Sequence, residues 1–260
     1  VRGLLERARG VGGARPGGSA RVAQLWESGG WGGRRYPLTP ATGWATLRDV
    51  RGEGRQALWF NSRHYRANLL LQDGAVLLRD VHIFDERLQS RYYDTAGQSP
   101  QCVYGTLPVV DGYRFSTPRD RAGIYLCLEE PGGGWAPIRC GGLDVTTAEG
   151  LMAATVRDSA SGRAFTFEFT EQGWCVAEHA PAKGAPGWCL ALALPREKFD
   201  VLPDCMVSTD RLDFEHEGFR YQLSLSAGGA EIPAQSGLDP LTIAWLLRPE
   251  GNLLAAGPAR

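Results

Sequence analysis

The sequence predicts an all-β protein, built as a large sandwich of two antiparallel sheets. Short apolar or alternating segments recur along most of the chain, and turn residues separate them at roughly ten-residue intervals. Residues 163–170 and 219–226 alternate strictly between polar and apolar side chains, which is typical of a strand with one buried face. About a dozen such segments are too many for an immunoglobulin domain and favour a larger supersandwich.

The first part of the chain, residues 1–43, is predicted to be a leader or connector, helical or disordered, or else the end of a preceding helical domain. It is rich in Gly, Arg and Pro. Residues 20–27 have the composition for two helical turns, with Ser19 as the N-terminal cap. The glycine-rich segment 29–33 is expected to end that helix.

The remaining residues, 44–260, are predicted to form one β-sandwich domain. Gln72-Asp73-Gly74 lies between two apolar segments and is typical of a hairpin turn, and Glu217-Gly218 has the same character. The predicted strands lie at 44–47, 57–60, 67–71, 75–84, 123–128, 151–156, 164–169, 174–178, 188–194, 211–215, 219–226 and 241–247.

Composition excludes several classes of partner. Hydrophobic residues make up 43% of the chain, which is enough for a buried core. Lys and Arg number 28 against 29 Asp and Glu, so the chain lacks the basic excess of a nucleic-acid-binding protein. No run of apolar residues is long enough for a transmembrane helix, and the first residues lack the apolar core of a secretory signal. We therefore expect neither a nucleic acid nor a membrane as partner.

The cysteines do not form a recognisable metal or redox motif. No two of them have the CxxC spacing, which excludes a zinc ribbon or a thioredoxin-type site. We expect small buried side chains on strands, with one or two disulfides if the protein is exported. The six are Cys102, Cys127, Cys140, Cys175, Cys189 and Cys205.

A candidate metal site combines His64, Asp80 and His82. Asp80 and His82 are two residues apart on a predicted strand and therefore share a face. Pairing through the Gln72-Asp73-Gly74 turn is compatible with His64 joining them. Two imidazoles and one carboxylate suit Zn²⁺, with water or Cys102 as the fourth ligand. The alternative is a set of surface polar residues on an edge strand.

The aromatic residues give two further candidates. In Arg91-Tyr92-Tyr93, a tyrosine has the chemistry of an acid or base in β-elimination, and the arginine would lower its pKa. Strand packing is the alternative for this pair. Some tryptophans are candidates for stacking on sugar rings, with core packing as the alternative. They are Trp31, Trp44, Trp135, Trp174 and Trp188.

A series of short motifs follows between residues 43 and 112, about a quarter of the chain. In order they are Gly43-Trp44-Ala45-Thr46-Leu47-Arg48, Ala57-Leu58-Trp59-Phe60, His64-Tyr65-Arg66-Ala67-Asn68, Leu77-Leu78-Arg79-Asp80, Arg91-Tyr92-Tyr93 and Val110-Asp111-Gly112. In this order they resemble the β domain of heparinase II/III-like polysaccharide lyases. That family has a His-x-His-Ala-Asp/Asn segment, a Leu-Leu-x-Asp strand, an Arg-x-aromatic segment, a His-Asn-Thr sequence and a Val-Asp-Gly.

The resemblance implies a supersandwich, a structural metal, and a role in the cleavage of acidic polysaccharide. His64 and Asp80 would match two metal ligands of the family. Arg66 stands where the family has its second histidine, and Gly105-Thr106-Leu107 lies near the His-Asn-Thr position. His82 or Cys102 would then have to supply the third ligand.

The resemblance also implies an α/α toroid domain before the sandwich, of which residues 1–43 would be only the end. The expected reaction is β-elimination from a uronate-containing polysaccharide, with Tyr92, Tyr93 and Arg66 as candidate catalytic residues. Without the toroid we expect no turnover. A lyase of this kind would be periplasmic or secreted.

Two other functions remain open from the sequence. One is a noncatalytic carbohydrate-binding or structural sandwich, which the aromatic content and near-zero charge fit equally well. The other is an epimerase or glycosidase on the same fold, for which Asp80/His82 and Glu178/His179 are the candidate pairs.

Overall fold

The computed structural model describes residues 25–38, 40–98, 105–226, 228–233, 237–238, 241–249 and 253–258. These residues are mostly β-structure, which confirms the predicted fold class. Contacts divide the chain into two units, Val1–Pro40 and Ala41–Arg260. Within the described part of the chain, no helix is both long and apolar enough to cross a membrane.

The secondary-structure elements are numbered along the chain. Helix α1 spans Leu25–Arg35, and a 3₁₀ helix spans Arg196–Val201. The strands are β1 (Thr42–Thr46), β2 (Gln56–Asn61), β3 (Tyr65–Gln72), β4 (Ala75–Ile83), β5 (Leu107–Asp111), β6 (Gly123–Glu129), β7 (Trp135–Pro137), β8 (Asp144–Ala148), β9 (Leu151–Arg157), β10 (Ala164–Thr170), β11 (Gly173–His179), β12 (Trp188–Leu194), β13 (Asp204–Val207), β14 (Arg211–His216), β15 (Phe219–Leu225), β16 (Gly228–Glu231), β17 (Gly237–Leu238), β18 (Leu241–Pro249) and β19 (Leu253–Pro258).

The strands form two sheets whose described pairs are all antiparallel. Sheet 1 has the order β1-β2-β3-β4-β6-β12-β18-β16, with β5 beside β4, β7 beside β6 and β17 beside β18. Sheet 2 has the order β13-β14-β15-β19-β11-β10-β9-β8. The first four strands of the domain therefore form a continuous meander at one side of sheet 1, and this side carries the candidate site.

The two predicted hairpin turns are confirmed. Asp73 and Gly74 have φ values of 52° and 77°, and they connect the paired residues Gln72 and Ala75. Glu217 and Gly218 have φ values of 51° and 81° in the hairpin between β14 and β15. Positive φ at both central residues is the signature of a type I′ turn, whose twist matches the flanking strands.

The hydrophobic core lies between the sheets. On β10, Phe165, Phe167 and Phe169 all point inward and are almost fully buried, as the strict alternation of this segment predicts. The Tyr65 hydroxyl crosses from sheet 1 to donate hydrogen bonds to the Thr170 and Gly173 carbonyls of sheet 2, at 2.9 and 2.7 Å. These contacts fix which face of sheet 1 points inward, and hence which face is outer.

The predicted end of the N-terminal helix is wrong. Helix α1 continues through Gly29, Gly30, Gly32 and Gly33 to Arg35, although each glycine costs about 1 kcal/mol in a helix interior. Two basic residues in its last turn interact favourably with the helix dipole and oppose part of that cost. Ser19 and the first residues of the predicted helix lie outside the described residues.

Candidate metal site on the outer face of sheet 1

A row of side chains crosses five neighbouring strands of sheet 1. The cross-strand pairs are Trp44 with Trp59, Trp59 with Asn68, Asn68 with Asp80, and Asp80 with Asp111. Residues on either side of this row belong to the inter-sheet core. Since successive side chains of a strand alternate between faces, the row itself lies on the outer face.

The next row along the strands brings Arg66 opposite His82. Two register shifts interrupt strand pairing nearby, one beside Asn68 and one between Val81 and His82. Such bulges change the direction of side chains and are frequent next to functional sites. Here they accompany a cluster of polar side chains on β4 and β5.

The cluster consists of Asp80, His82 and Asp111. One potential ligand atom from each lies within 4.8 Å of the other two. Asp80 and His82 are buried, with 4% and 1% of their surfaces exposed, and Asp111 is half-buried. His82 Nε2 is 3.8 Å from Asp111 Oδ2, which is too long for a hydrogen bond.

Backbone and arginine donors hold the two carboxylates in place. Asp80 Oδ2 accepts a hydrogen bond from Arg79 Nε at 2.6 Å, and Asp80 Oδ1 accepts one from the Gly112 amide at 3.3 Å. Asp111 Oδ1 accepts bonds from the Tyr113 and Arg114 amides, each 3.0 Å long. Asp111 Oδ2 is thereby left directed toward His82.

The glycine of the Val-Asp-Gly sequence allows β5 to approach β4 closely beside Asp80. A Cβ atom on Gly112 would collide with the Arg79 side chain and stand 2.8 Å from the Arg79 carbonyl oxygen. Only glycine lets β5 approach so closely that its end can donate to Asp80.

His82 is buried as a neutral ring, and one of its nitrogens has no hydrogen-bond partner. Burial lowers its pKa to about 3, and the nearby charges of Arg66, Arg114 and His216 act in the same direction. Its Nδ1 lies 2.8 Å from the Thr106 hydroxyl oxygen, whereas Nε2 has no hydrogen-bond partner. With Nδ1–H donating to Thr106, Nε2 presents a bare lone pair toward Asp111, which is the form in which histidine binds a metal.

Unpaired buried polar atoms concentrate on this face. Within the described ranges only four buried side-chain polar atoms lack a partner, and three of them are Arg66 Nε, Asn68 Oδ1 and His82 Nε2. Asn68 Nδ2 donates to the Leu58 carbonyl at 3.0 Å, which fixes the orientation of its amide. Folded proteins rarely leave buried groups unpaired, so this concentration makes the face a candidate ligand site.

The donor set fits a divalent cation. Two carboxylates and a neutral imidazole are ligands that Zn²⁺ accepts, and Asn68 Oδ1, opposite Asp80, is a candidate fourth ligand. A cation would satisfy the acceptors Asn68 Oδ1 and His82 Nε2 and would neutralise the close carboxylates. The Arg66 Nε donor needs an anionic or carbonyl partner instead.

The structure brings Asp80 and His82 together with Asp111 rather than with His64. Because Arg66 pairs with His82, His64 lies two residues further along, where its carbonyl accepts a hydrogen bond from the Phe84 amide. Its ring Nε2 lies 3.2 Å from Arg63 Nε, which donates to it. The sequence reasoning missed Asp111 as a ligand because β5 pairs with β4 across a long connection, although the Val-Asp-Gly motif marked its position.

The other predicted site residues lie in different settings. Tyr92 and Tyr93 are in the connection between β4 and β5, in turn structure rather than a strand, and 36% and 81% of their surfaces are exposed. Cys102 lies outside the described residues. On sheet 2, Glu178 forms a bidentate pair with Arg163, and the His179 ring bonds to the Thr166 hydroxyl.

The candidate sugar-stacking tryptophans fall into a buried and an exposed group, and the described cysteines are not bridged. Trp174 is fully buried in the core and Trp188 packs on Phe165, whereas Trp44 and Trp31 have more than half of their surfaces exposed. All five cysteines in the described ranges are free thiols, and three of them are buried.

Comparison with known proteins does not assign this site. No protein-family model, no curated protein and no solved structure matches the chain. The fold and the geometry of the outer face of sheet 1 therefore carry the functional inference.

Proposed function

We propose that this chain is the metal-binding β-sandwich domain of a polysaccharide lyase that acts on uronate-containing polysaccharide by β-elimination. The observation that carries the proposal is the Asp80–His82–Asp111 cluster with its unfilled acceptor atoms. The cluster lies within residues 43–112, the stretch that resembles the β domain of heparinase II/III-like lyases.

The metal has a structural role in this proposal. When bound, it supplies positive charge between two carboxylates and links β4 to β5. These two strands are the ends of the connection that carries Tyr92 and Tyr93, so fixing them also fixes where that connection begins and ends.

The chemistry requires a base, an acid and a cation, and candidates for all three lie between residues 64 and 92 of the chain. In β-elimination a base removes the proton α to the uronate carboxylate, the bond to the 4-linked oxygen breaks, and an acid protonates that oxygen. Tyr92, the less exposed tyrosine of the pair, and the half-buried His64 are the candidates for proton transfer. Arg66 has a buried Nε without an acceptor, which suits the carboxylate whose charge must be stabilised.

A second candidate function is a noncatalytic carbohydrate-binding sandwich. It is favoured by one observation, the exposed Trp44 stacked on Trp59 at the edge of sheet 1. This function needs an aromatic surface but no elimination chemistry.

The first test is metal content by mass spectrometry of the purified protein after reloading with zinc. We expect about one zinc per chain, lost in Asp80→Ala/Asp111→Ala and kept in the matched variant His179→Ala. A folded wild-type protein without bound zinc would contradict the metal-binding domain.

The second test is the ultraviolet absorbance of unsaturated uronate during incubation with acidic polysaccharides. Product that depends on Tyr92, as judged by Tyr92→Phe, supports the lyase. Because no turnover is expected of the sandwich without the toroid domain, product formation supports the lyase, whereas zinc binding without product is compatible with both functions.

A further inference from the structure

The edge of sheet 1 carries an exposed aromatic surface, here named the aromatic platform and formed by Trp44 and Trp59. The two rings stack with centroids 5.9 Å apart and an interplanar angle of 19°. Trp44 keeps 52% of its surface exposed, although Ala45 beside it packs on the core. An indole face held open to solvent by its stacking partner is a ready surface for a flat or weakly polar ligand.

An arginine connects the platform to the metal cluster. Arg79 Cζ lies 5.3 Å from the centre of the Trp59 ring, and Arg79 Nε bonds to Asp80 at 2.6 Å. Only β3 separates β2 from β4, so the platform and Asp80 are about 10 Å apart across the sheet. A short oligosaccharide lying across the strands can reach both.

A second arginine near Arg79 makes no direct ion pair with the described residues. Arg121 is half-buried, and no carboxylate of the described residues lies within ion-pair distance of its guanidinium. Burial lowers the pKa of Arg121, with further lowering by the nearby charges of Arg79 and Arg55 and weaker opposing effects of Tyr125 and Asp73. A half-buried cation next to other cations is costly unless an anion binds there.

Arg121 also lines a cavity suited to an anionic ligand. The cavity has a volume of about 230 Å³ and is lined by three arginines, Arg119, Arg121 and Arg139, and by two aspartates, Asp73 and Asp120, over the apolar side chains of Leu77 and Tyr125. The Tyr125 hydroxyl donates to the Arg121 carbonyl at 2.7 Å, which fixes the backbone that carries this side chain. In a chain with a net charge of −1, this local excess of arginine is not a consequence of composition.

We propose that the outer face of sheet 1 contains a binding subsite for an acidic oligosaccharide, in which the aromatic platform stacks on one sugar ring and Arg121 binds the carboxylate of another. The identity of the ligand as a uronate oligosaccharide rests on the proposed function, whereas the stacking surface and the unpaired cation do not depend on the metal. The bound chain crosses the strands above Arg79 and so approaches the Asp80–His82–Asp111 cluster.

The test is isothermal titration calorimetry with a short 1,4-linked oligouronate. Trp44→Ala and Arg121→Gln remove the two contacts, and Trp26→Ala and Arg220→Gln are matched controls, because Trp26 is an exposed tryptophan outside the sheets and Arg220 lies on sheet 2. We expect binding to weaken about tenfold or more in each test variant and to stay unchanged in the controls. The methyl ester of the same oligouronate, which lacks the charge, should bind as weakly to wild type as the acid binds to Arg121→Gln.

The subsite would be overturned by an undetectable affinity of the wild-type protein for the oligouronate, or by an affinity that neither test variant changes. It would also be overturned if polyglutamate bound as tightly as the oligouronate, because that result would indicate general attraction of polyanions. Zinc content is measured on the same samples. Zinc without oligouronate binding rejects the subsite alone, and variant-sensitive oligouronate binding without zinc rejects the metal-binding domain alone.

Discussion

The outer faces of the two sheets both carry a histidine bonded to a threonine, and the two sites differ in what else surrounds the ring. On sheet 2, His179 is exposed, and its Nε2 joins a chain of hydroxyls in which Thr166 and Thr155 lie 2.7 Å apart. On sheet 1, His82 is 1% exposed, bonds to Thr106 through Nδ1, and leaves Nε2 without a partner beside two carboxylates.

The difference separates a satisfied surface from the proposed binding site. On sheet 2 the polar groups of the outer face pair with one another, as in the contacts of Thr166 with Thr155 and His179, so nothing further is needed to stabilise them. On sheet 1 the buried acceptors Asn68 Oδ1 and His82 Nε2 are unfilled. Burial without pairing, rather than residue type, therefore distinguishes the face on which the metal site is proposed.

The largest expected effect is on metal affinity. Asp111→Ala removes a carboxylate from the cluster, and His82→Ala removes the only imidazole in it. Since changing even an outer partner of a metal ligand costs 10–100-fold, we expect each variant to weaken zinc binding by at least about a hundredfold. Competition with a zinc-sensitive chelator measures the zinc affinity of each variant. The control His179→Ala should bind zinc like wild type. Equal zinc affinity of Asp111→Ala, His82→Ala and His179→Ala would remove the contrast between the two faces.

The next effect is the pH dependence of stability in the metal-free protein. Because the folded pKa of His82, about 3, is below its ordinary value of 6.5, the unfolded chain binds a proton that the folded chain does not. The contribution of neutral His82 to the free energy of unfolding is therefore fully present above about pH 6.5. It is lost as the pH falls toward 3, and the free energy of unfolding then decreases by up to about 1.4 kcal/mol per pH unit.

Urea unfolding in the presence of a chelator measures how steeply the free energy of unfolding depends on pH. His82→Gln removes the titrating group, so its free energy of unfolding should fall less steeply than that of wild type between about pH 6.5 and about pH 4.5. His179→Gln should keep the wild-type slope. Parallel slopes for wild type and His82→Gln would show that burial of His82 is not maintained without metal.

A smaller effect is expected from Gly112→Ala. The added methyl group collides with Arg79, whose guanidinium supports Asp80, and so strains the end of β5. We expect a loss of about 2 kcal/mol in stability and about tenfold weaker zinc binding. Gly132→Ala is the matched control, since nothing lies within 4 Å of the point where its Cβ would stand. Thermal unfolding and zinc titration of both variants test the close approach of β5 to β4.

The smallest effect is expected on sheet 2. Thr166→Val removes the hydroxyl between Thr155 and His179 without changing the size of the side chain. Because this network is close to solvent, we expect a loss of about 1 kcal/mol or less and no change in zinc content. A change in zinc content would mean that the two faces are coupled.

Much of the fold followed from local patterns. The strict alternation of residues 163–170 predicted the inward phenylalanines of β10, and Gln72-Asp73-Gly74 predicted the hairpin that sets β3 against β4. Both are short-range properties of the chain. The end of helix α1 was not predictable in this way, because the glycines that should stop a helix were overridden.

The site was predicted only in part. Asp80 and His82 share a face because they are two residues apart on one strand, and the sequence contains that fact. Asp111 joins them through the pairing of β4 with β5, and Arg66 rather than His64 stands opposite His82 because of the register of β3. A shift of one residue in that register would have placed the opposite set of side chains on this face.

By itself, the sequence determined that this chain forms antiparallel strands, where its tight turns lie, and which residues of each strand share a face, because these properties depend on neighbours within a few residues. Only the tertiary structure decided which histidine is buried, which carboxylate meets it, and which tryptophan stays exposed. Those outcomes depend on strand order, on bulges and on contacts between residues far apart in the chain, and local sequence patterns do not encode them.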